Sequence, residues 1–199
     1  MTQERAARTR QALVRAAAGE FDRGGYAGSS LARISKAAGI SMGALTFHFQ
    51  TKEQLAATVR AQGYAMTRTV VQQVGRGQEV PVHSVVSLTL ALAELLEQEP
   101  VVRAAARLTR ERSGTGPDWT LAWVPDLRER LDRTVRDGSV DLPDQEAVAT
   151  LAAHLVIGAE ADARRLAERG LRPGGCPVAR LSAVWDLMLR GISVPRKGG

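Results

Sequence analysis

An all-α fold is predicted by three observations. Apolar residues recur at spacings of three and four through most of the chain, β-branched and aromatic residues seldom alternate with polar ones, and glycine or proline breaks fall where the apolar stripes end. The 199 residues are 44% hydrophobic and 24% charged, the balance of an ordinary folded protein with one sizeable core or two small ones. A single cysteine, Cys176, excludes a disulfide scaffold and a thiolate metal site. The opening Met1-Thr2-Gln3-Glu4-Arg5 carries no apolar signal core, and no apolar run is long enough to span a bilayer. A soluble cytoplasmic chain with no membrane segment is expected.

The elements follow in order. Leu13, Ala17 and Phe21 mark a first helix over about residues 5–23, closed at Gly24-Gly25. Ser29 or Ser30 caps a short helix carrying Leu31, Ile34, Ala37 and Ala38, which Gly39 ends. Ser41 caps the next, with Leu45. Thr51-Lys52-Glu53-Gln54 fits a capping box in which Thr51 and Gln54 satisfy each other's backbone N–H groups, opening a long helix to about residue 74. After a loop at 75–81, residues 83–98 are apolar on nearly every side, as in a helix buried in mid-domain. A further helix covers 100–112. Trp119, Trp123, Leu127, Leu131 and Val135 then recur every fourth residue, with Pro125 obscuring the start of that helix. Asp144 caps a helix to about 170, and a last helix carries Leu181, Val184, Trp185, Met188 and Ile192. Nine helices and no strands are predicted.

Charge separates along this order. Residues 1–60 hold nine Lys and Arg against four carboxylates, a surplus of five out of the net +6. That concentration is the footprint of a polyanion-binding module attached to a neutral body, or else a solvated helix face. Within it, Ser30 to Phe49 reads S-L-A-R-I-S-K-A-A-G-I-S-M-G-A-L-T-F-H-F. Two short helices meet at Gly39-Ile40-Ser41, where Gly supplies positive φ and Ser caps the second helix. Ile34, Ala37, Ile40, Leu45 and Phe49 can share one small core. This is the pattern of a helix-turn-helix, whose second helix enters the major groove of DNA. Gly43 and Ala44 allow close approach, and Ser41, Met42 and Gly43 lie in the first turn. Thr46, Phe47 and His48 are candidates for the groove, His48 either touching DNA or capping its own helix. Ser29, Ser30, Ser41 and Lys52 mark helix starts that can aim N–H groups at phosphates, with Lys36 and Lys52 adding charge. Arg8 and Arg10 are either a minor-groove arm or a soluble helix start.

These residues resemble a family. The first helix closing at G-G-Y, the segment S-S-L-A-R-I-S-K-A-A-G-I-S-M-G-A-L-T-F-H-F and the following T-K-E-Q-L resemble the N-terminal domain of TetR-type transcriptional regulators over residues 8–60. The resemblance implies a three-helix DNA-binding domain at residues 5–60, with its helix-turn-helix motif at about 31–50. It further implies a C-terminal ligand-binding and dimerisation domain at 61–195, a tail at 196–199, a homodimer, a small-molecule effector and a pseudo-palindromic double-stranded operator. G-A-L-T-F-H-F, V-V-R-A-A-A-R-L at 101–108, D-W at 118–119 and G-I-S-V-P at 191–195 are further similar to actinomycete γ-butyrolactone receptors and pseudo-receptors, which repress antibiotic-biosynthesis and regulatory genes. Thr46 stands where such proteins commonly carry a phosphate-contacting Tyr. Ile157 stands where lactone-binding members can carry a hydroxyl residue. Both departures lean toward the pseudo-receptor branch, which responds to antibiotics or their intermediates.

For the body, Trp119 and Trp123 offer flat apolar walls with one N–H donor each, suited to a ring-containing ligand, or they pack in the core. Gln62, Leu88, Leu92 and Val156 are further candidate walls. Parallel stripes on the last two helices predict a four-helix dimer interface through Leu151, Leu155, Leu181, Val184, Trp185 and Met188, with Trp185 either an anchor there or intramolecular. Enzyme motifs are missing: His48, His83 and His154 lack metal-ligand spacing, and no P-loop, dinucleotide loop or nucleophile elbow occurs, so neither metal nor cofactor is expected. A repressor of antibiotic or regulatory genes is the leading expectation. A multidrug sensor controlling an efflux gene, or a non-sequence-specific architectural DNA binder, stands beside it.

Overall fold

The structure, a computed structural model, describes residues 2–74, 81–111, 116–136, 145–170 and 177–192. The expected loop at 75–80, the Asp144 cap, Cys176 and the 196–199 tail lie outside the described residues. Those residues form α1 (Thr2–Gly24), α2 (Leu31–Ala38), α3 (Met42–His48), α4 (Lys52–Val74), α5 (Pro81–Gln98), α6 (Pro100–Glu111), a 3₁₀ turn (Trp119–Ala122), α7 (Val124–Arg136), α8 (Gln145–Glu168) and α9 (Pro177–Ile192). The all-helical class stands. The element that differs most from expectation is the tryptophan helix. Asp118 caps a 3₁₀ turn by accepting the Thr120 N–H at 2.8 Å, and Trp123 leaves helical geometry at φ −143°. Pro125, tolerated only in a helix's first turn, then places the new start at Val124. The four-residue recurrence thus runs across two elements.

By packing, the chain falls into two compact units, residues 1–69 with 98–123, and residues 70–97 with 124–199. The first unit takes in more than the basic head, because α6 packs along α1. Its core is Leu13, Val14, Ala17, Phe21, Ile34, Leu45, Phe49, Leu55, Val59, Val101, Ala104 and Leu108. Ile40 packs against this core as expected. Ala37 does not: it is exposed, and Ala38, one residue on, turns inward instead. Where α4 crosses α6, Gly63 is required by space, since a Cβ there would lie 2.4 Å from Ala105 Cβ.

The second unit buries Leu88, Leu92 and Leu96 of α5, Leu127 and Leu131 of α7, Val156 of α8 and Leu181 and Trp185 of α9. Two of its buried polar groups are partnered across elements: Trp185 Nε1 donates to Thr89 Oγ1 at 2.8 Å. The Arg130 guanidinium donates to the carbonyls of Val71 at 3.3 Å and Ser84 at 3.4 Å.

Candidate nucleic-acid interface

The helix-turn-helix is held by local bonds that its sequence dictates. Ser30, extended at φ −142°, accepts the Arg33 N–H on its hydroxyl at 3.2 Å and caps α2. Ser29 is not the cap. It is buried, and its hydroxyl donates to the Tyr26 carbonyl at 2.8 Å. Gly39 takes the left-handed conformation, φ 64°, ψ 29°, that ends α2. The turn is then closed by Ile40 N–H donating to the Ser35 carbonyl at 3.1 Å, and by the Ser35 hydroxyl donating to the Ile40 carbonyl. Ser35 was missed in the sequence, where only its place one turn before Gly39 marks it. Ser41 caps α3 by accepting the Ala44 N–H at 3.3 Å.

This frame sorts α3 into two faces. Leu45 points into the core, with Phe49 just beyond the helix end. Met42, Gly43, Thr46 and Phe47 face outward, Phe47 being 83% exposed. A Cβ on Gly43 would meet nothing within 4 Å, so the backbone is open to an approaching surface. Thr46 is exposed, and its Oγ1 donates to the Gly43 carbonyl at 3.0 Å, which uses the hydroxyl proton and leaves the oxygen able only to accept from a partner. Ala44 and His48 are half-buried at the edges, His48 meeting the Phe47 ring edge-on at 5.3 Å. Lys36 is exposed on α2.

Lys52 has a different first task from the one expected. Its ammonium donates to the carbonyls of Tyr26 at 2.8 Å and Ser29 at 3.0 Å and sits 4.2 Å from the Tyr26 ring centre, fastening the α1–α2 turn to the start of α4. The capping box beside it is shifted by one residue. Thr51 Oγ1 accepts the Gln54 N–H at 3.1 Å, but Gln54 Oε1 reaches past Thr51 to accept the Gln50 N–H at 2.9 Å. Arg8 and Arg10 lie within helix α1, Arg8 paired with Glu4 and Arg10 over the Phe49 ring at 5.0 Å.

A second set of charges, invisible in the spacing, ties α6 to the end of α1. Arg103 pairs with Asp22 at 2.9 Å, both side chains buried. Arg107 donates to the carbonyls of Asp22 at 2.7 Å and Arg23 at 3.0 Å and bonds Glu111 at 2.7 Å. Glu111 in turn accepts the Tyr26 N–H at 2.7 Å. Partial burial works to raise the Glu111 pKa, but the bonds from Arg107 and Tyr26 and the charges of Arg107 and Arg110 outweigh it and hold the carboxyl below its ordinary value.

The expected ligand and dimer residues are placed as follows. Trp119, Trp123 and Gln62 belong to the first unit, while Leu88, Leu92 and Val156 are fully buried in the core of the second. Trp119 and Trp123 sit with ring centres 5.5 Å apart. Trp119 Nε1 donates to Thr67 Oγ1 at 2.9 Å, whereas the buried Trp123 Nε1 finds no partner among the described residues. Gln62 lines a cleft of about 430 Å³ with Gln11, Arg15, Met66, Glu99 and Val101. On α8 and α9, Leu151 and Val184 are exposed, Leu155 and Met188 half-buried, and a groove of about 200 Å³ runs between Leu155, Gly158 and Val184. Leu181 and Trp185 are buried within the protomer, Trp185 with its indole N–H on Thr89. Leu187, 68% exposed, was not among the expected residues. No helix among the described residues is long and apolar enough to cross a membrane.

Comparison with known proteins agrees with this geometry. Residues 13–59 match the bacterial regulatory proteins of the TetR family. The A-factor receptor protein of Streptomyces griseus is 34% identical over 110 residues, which is 55% of this chain and 37% of that protein; the match thus spans little more than a third of that relative. The TetR-family protein CprB from Streptomyces coelicolor, solved in complex with its operator, superposes with a TM-score of 0.77 at 31% identity, covering 96% of this chain and 92% of that one. A γ-butyrolactone receptor (ArpA-like protein) superposes with a TM-score of 0.73 at 30% identity over 96% of this chain and 90% of its own. The chain therefore belongs to the TetR family of DNA-binding regulators, proteins that are not enzymes, and is related within it to the γ-butyrolactone receptors.

Proposed function

We propose that this chain is a ligand-responsive transcriptional repressor of antibiotic-biosynthesis or regulatory genes in an actinomycete. As a homodimer it holds a pseudo-palindromic operator and is released by a small molecule, whether an antibiotic, an intermediate or a γ-butyrolactone-like signal. The observation that carries the reading is the outward face of α3, capped by Ser41, clear of obstruction at Gly43 and set in the part of the chain that holds five of the six net positive charges. Residues 5–60 are the DNA-binding domain in this reading and 61–195 the effector and dimerisation domain. Ser30, Lys36, Ser41, Met42, Gly43, Ala44, Thr46, Phe47 and His48 meet the duplex, and Lys52 contributes chiefly by fixing the turn. Two recognition helices must reach half-sites about 34–36 Å apart, or a multiple of a turn, which makes the dimer a functional requirement.

For the effector, the support is the tryptophan pair. Trp123 keeps a buried indole N–H without a partner among the described residues, and a buried donor left unmade costs free energy that a bound acceptor recovers. An effector carrying a carbonyl or hydroxyl oxygen fits that donor. It acts only if it binds the released and DNA-bound states unequally, and α4, which enters both units, is the element whose shift would carry the difference.

A mobility-shift titration of the full chain on the duplex upstream of its own gene tests the first half. The expected result is preference over random duplex and affinity falling steeply with salt; salt-insensitive or indiscriminate binding overturns it. Trp123→Phe keeps the ring and removes the N–H. It is expected to leave operator affinity unchanged and to weaken effector-induced release, and unaltered release removes Trp123 from the site.

A further inference from the structure

The outer face of α3 is unusual for a surface that is to meet DNA. The helix, Met42-Gly43-Ala44-Leu45-Thr46-Phe47-His48, contains no Arg, Lys, Asn, Gln, Asp or Glu. Those are the side chains that make paired hydrogen bonds to guanine, adenine or cytosine edges in the major groove. What it exposes is largely apolar: the Phe47 ring, the Met42 thioether chain at 41% exposure and the bare Gly43 backbone, with Thr46 beside them, its hydroxyl proton already given to the Gly43 carbonyl. A monomeric protein gains nothing by holding a phenyl ring 83% in water. The ring is also kept from folding back, because α3 is pinned on its other side by Leu45 and Phe49 in the core.

The surroundings fix the occupant. The face belongs to the segment that carries a positive surplus of five charges, with Lys36 exposed on the neighbouring helix. An apolar partner protein would not call for that charge, whereas duplex DNA presents a polyanionic frame and, inside its major groove, one apolar group, the C5-methyl of thymine.

We propose that α3 reads its half-site through thymine methyl groups, with Phe47 as the principal contact and Met42 and the Thr46 methyl beside it, instead of through paired hydrogen bonds to guanine. The inference rests on the DNA-binding reading above and goes beyond it by naming what is recognised. It requires thymine within the reach of α3, and it makes phosphate contacts from Lys36 and the other basic residues sequence-neutral.

The experiment uses a duplex enriched by the full-length chain from a random-sequence pool. Each thymine of its half-site is replaced in turn by deoxyuridine, which removes the methyl and leaves the base pair intact. At the contacted thymine, affinity is expected to fall about fourfold, the value of one buried methyl group. Phe47→Ala is expected to weaken binding to the thymine duplex and to bind thymine and uracil duplexes alike, with an unchanged melting temperature because the ring is exposed. Equal binding of every uracil duplex by the unaltered chain overturns the proposal, as does a uracil penalty that persists undiminished in Phe47→Ala. Failure to enrich any duplex from the pool overturns the regulator reading itself, so the two failures are distinguishable.

Discussion

Two glycines four residues apart have opposite reasons to be glycine. Gly39 is set by its backbone, at φ 64°, whereas Gly43 is in an ordinary helix with open space where its Cβ would be. Gly43→Ala is therefore expected to raise the stability of the head by up to about 1 kcal/mol through helix propensity, while weakening operator affinity. A thermal melt and a mobility shift on the same sample read the two effects. The caps at Ser30 and Ser41 and the turn at Gly39 were legible in the sequence because their bonds are made within three residues. The bonds of Lys52 to Ser29, Trp119 to Thr67 and Glu111 to Tyr26 were not, since they span 23 to 85 residues and only folding brings their ends together. Glu111 offers a second prediction. Its folded pKa lies below its ordinary value, so its contribution is complete above the unfolded value near 4.5 and is lost as pH falls through the folded one. Glu111→Gln should be less stable than the parent at neutral pH, with the gap closing below about pH 4.5 in denaturant titrations.

At the scale of elements, periodicity located the helices within a few residues, except where the tryptophan stripe runs across a 3₁₀ turn into α7, and what it leaves open has one cause. An apolar stripe reports which side of a helix is hydrophobic, not what covers it. Leu88, Leu92 and Val156 lie on such stripes and are core. On α9 the stripe is wider than one neighbour can cover, so Leu181 and Trp185 turn inward while Leu187 stays out. Which residue faces a partner was therefore not readable from spacing alone. The crossing of α4 and α6 is testable directly. Gly63→Ala places a methyl 2.4 Å from Ala105 Cβ and 3.0 Å from the Val101 carbonyl oxygen. Its expected cost is about 1–3 kcal/mol of stability, measured by chemical denaturation, and Ala105→Gly in the same chain should restore part of it. Additive losses would show that the two positions do not compete for space.

For the whole molecule, assembly and response are the properties to test. Leu187 is the most exposed apolar side chain of α9 among the described residues. Leu187→Glu is expected to convert a dimer to a monomer in sedimentation or light scattering with little change in helix content, and to abolish tight operator binding because one head alone cannot span two half-sites. A monomer that still bound the full operator as tightly would remove the dimer requirement. The clasp between α6 and the end of α1 has its own consequence. The Tyr26 amide hydrogen points at the Glu111 carboxylate, and the residue that receives it stands 85 positions along the chain. Its exchange with solvent deuterium requires that bond to open, whether α6 lets go or the Glu111 side chain swings away. That single amide thus reports on the clasp itself: its exchange slows while the Glu111 bond is made and quickens wherever an effector or a substitution loosens that contact, even before any change in DNA binding is visible.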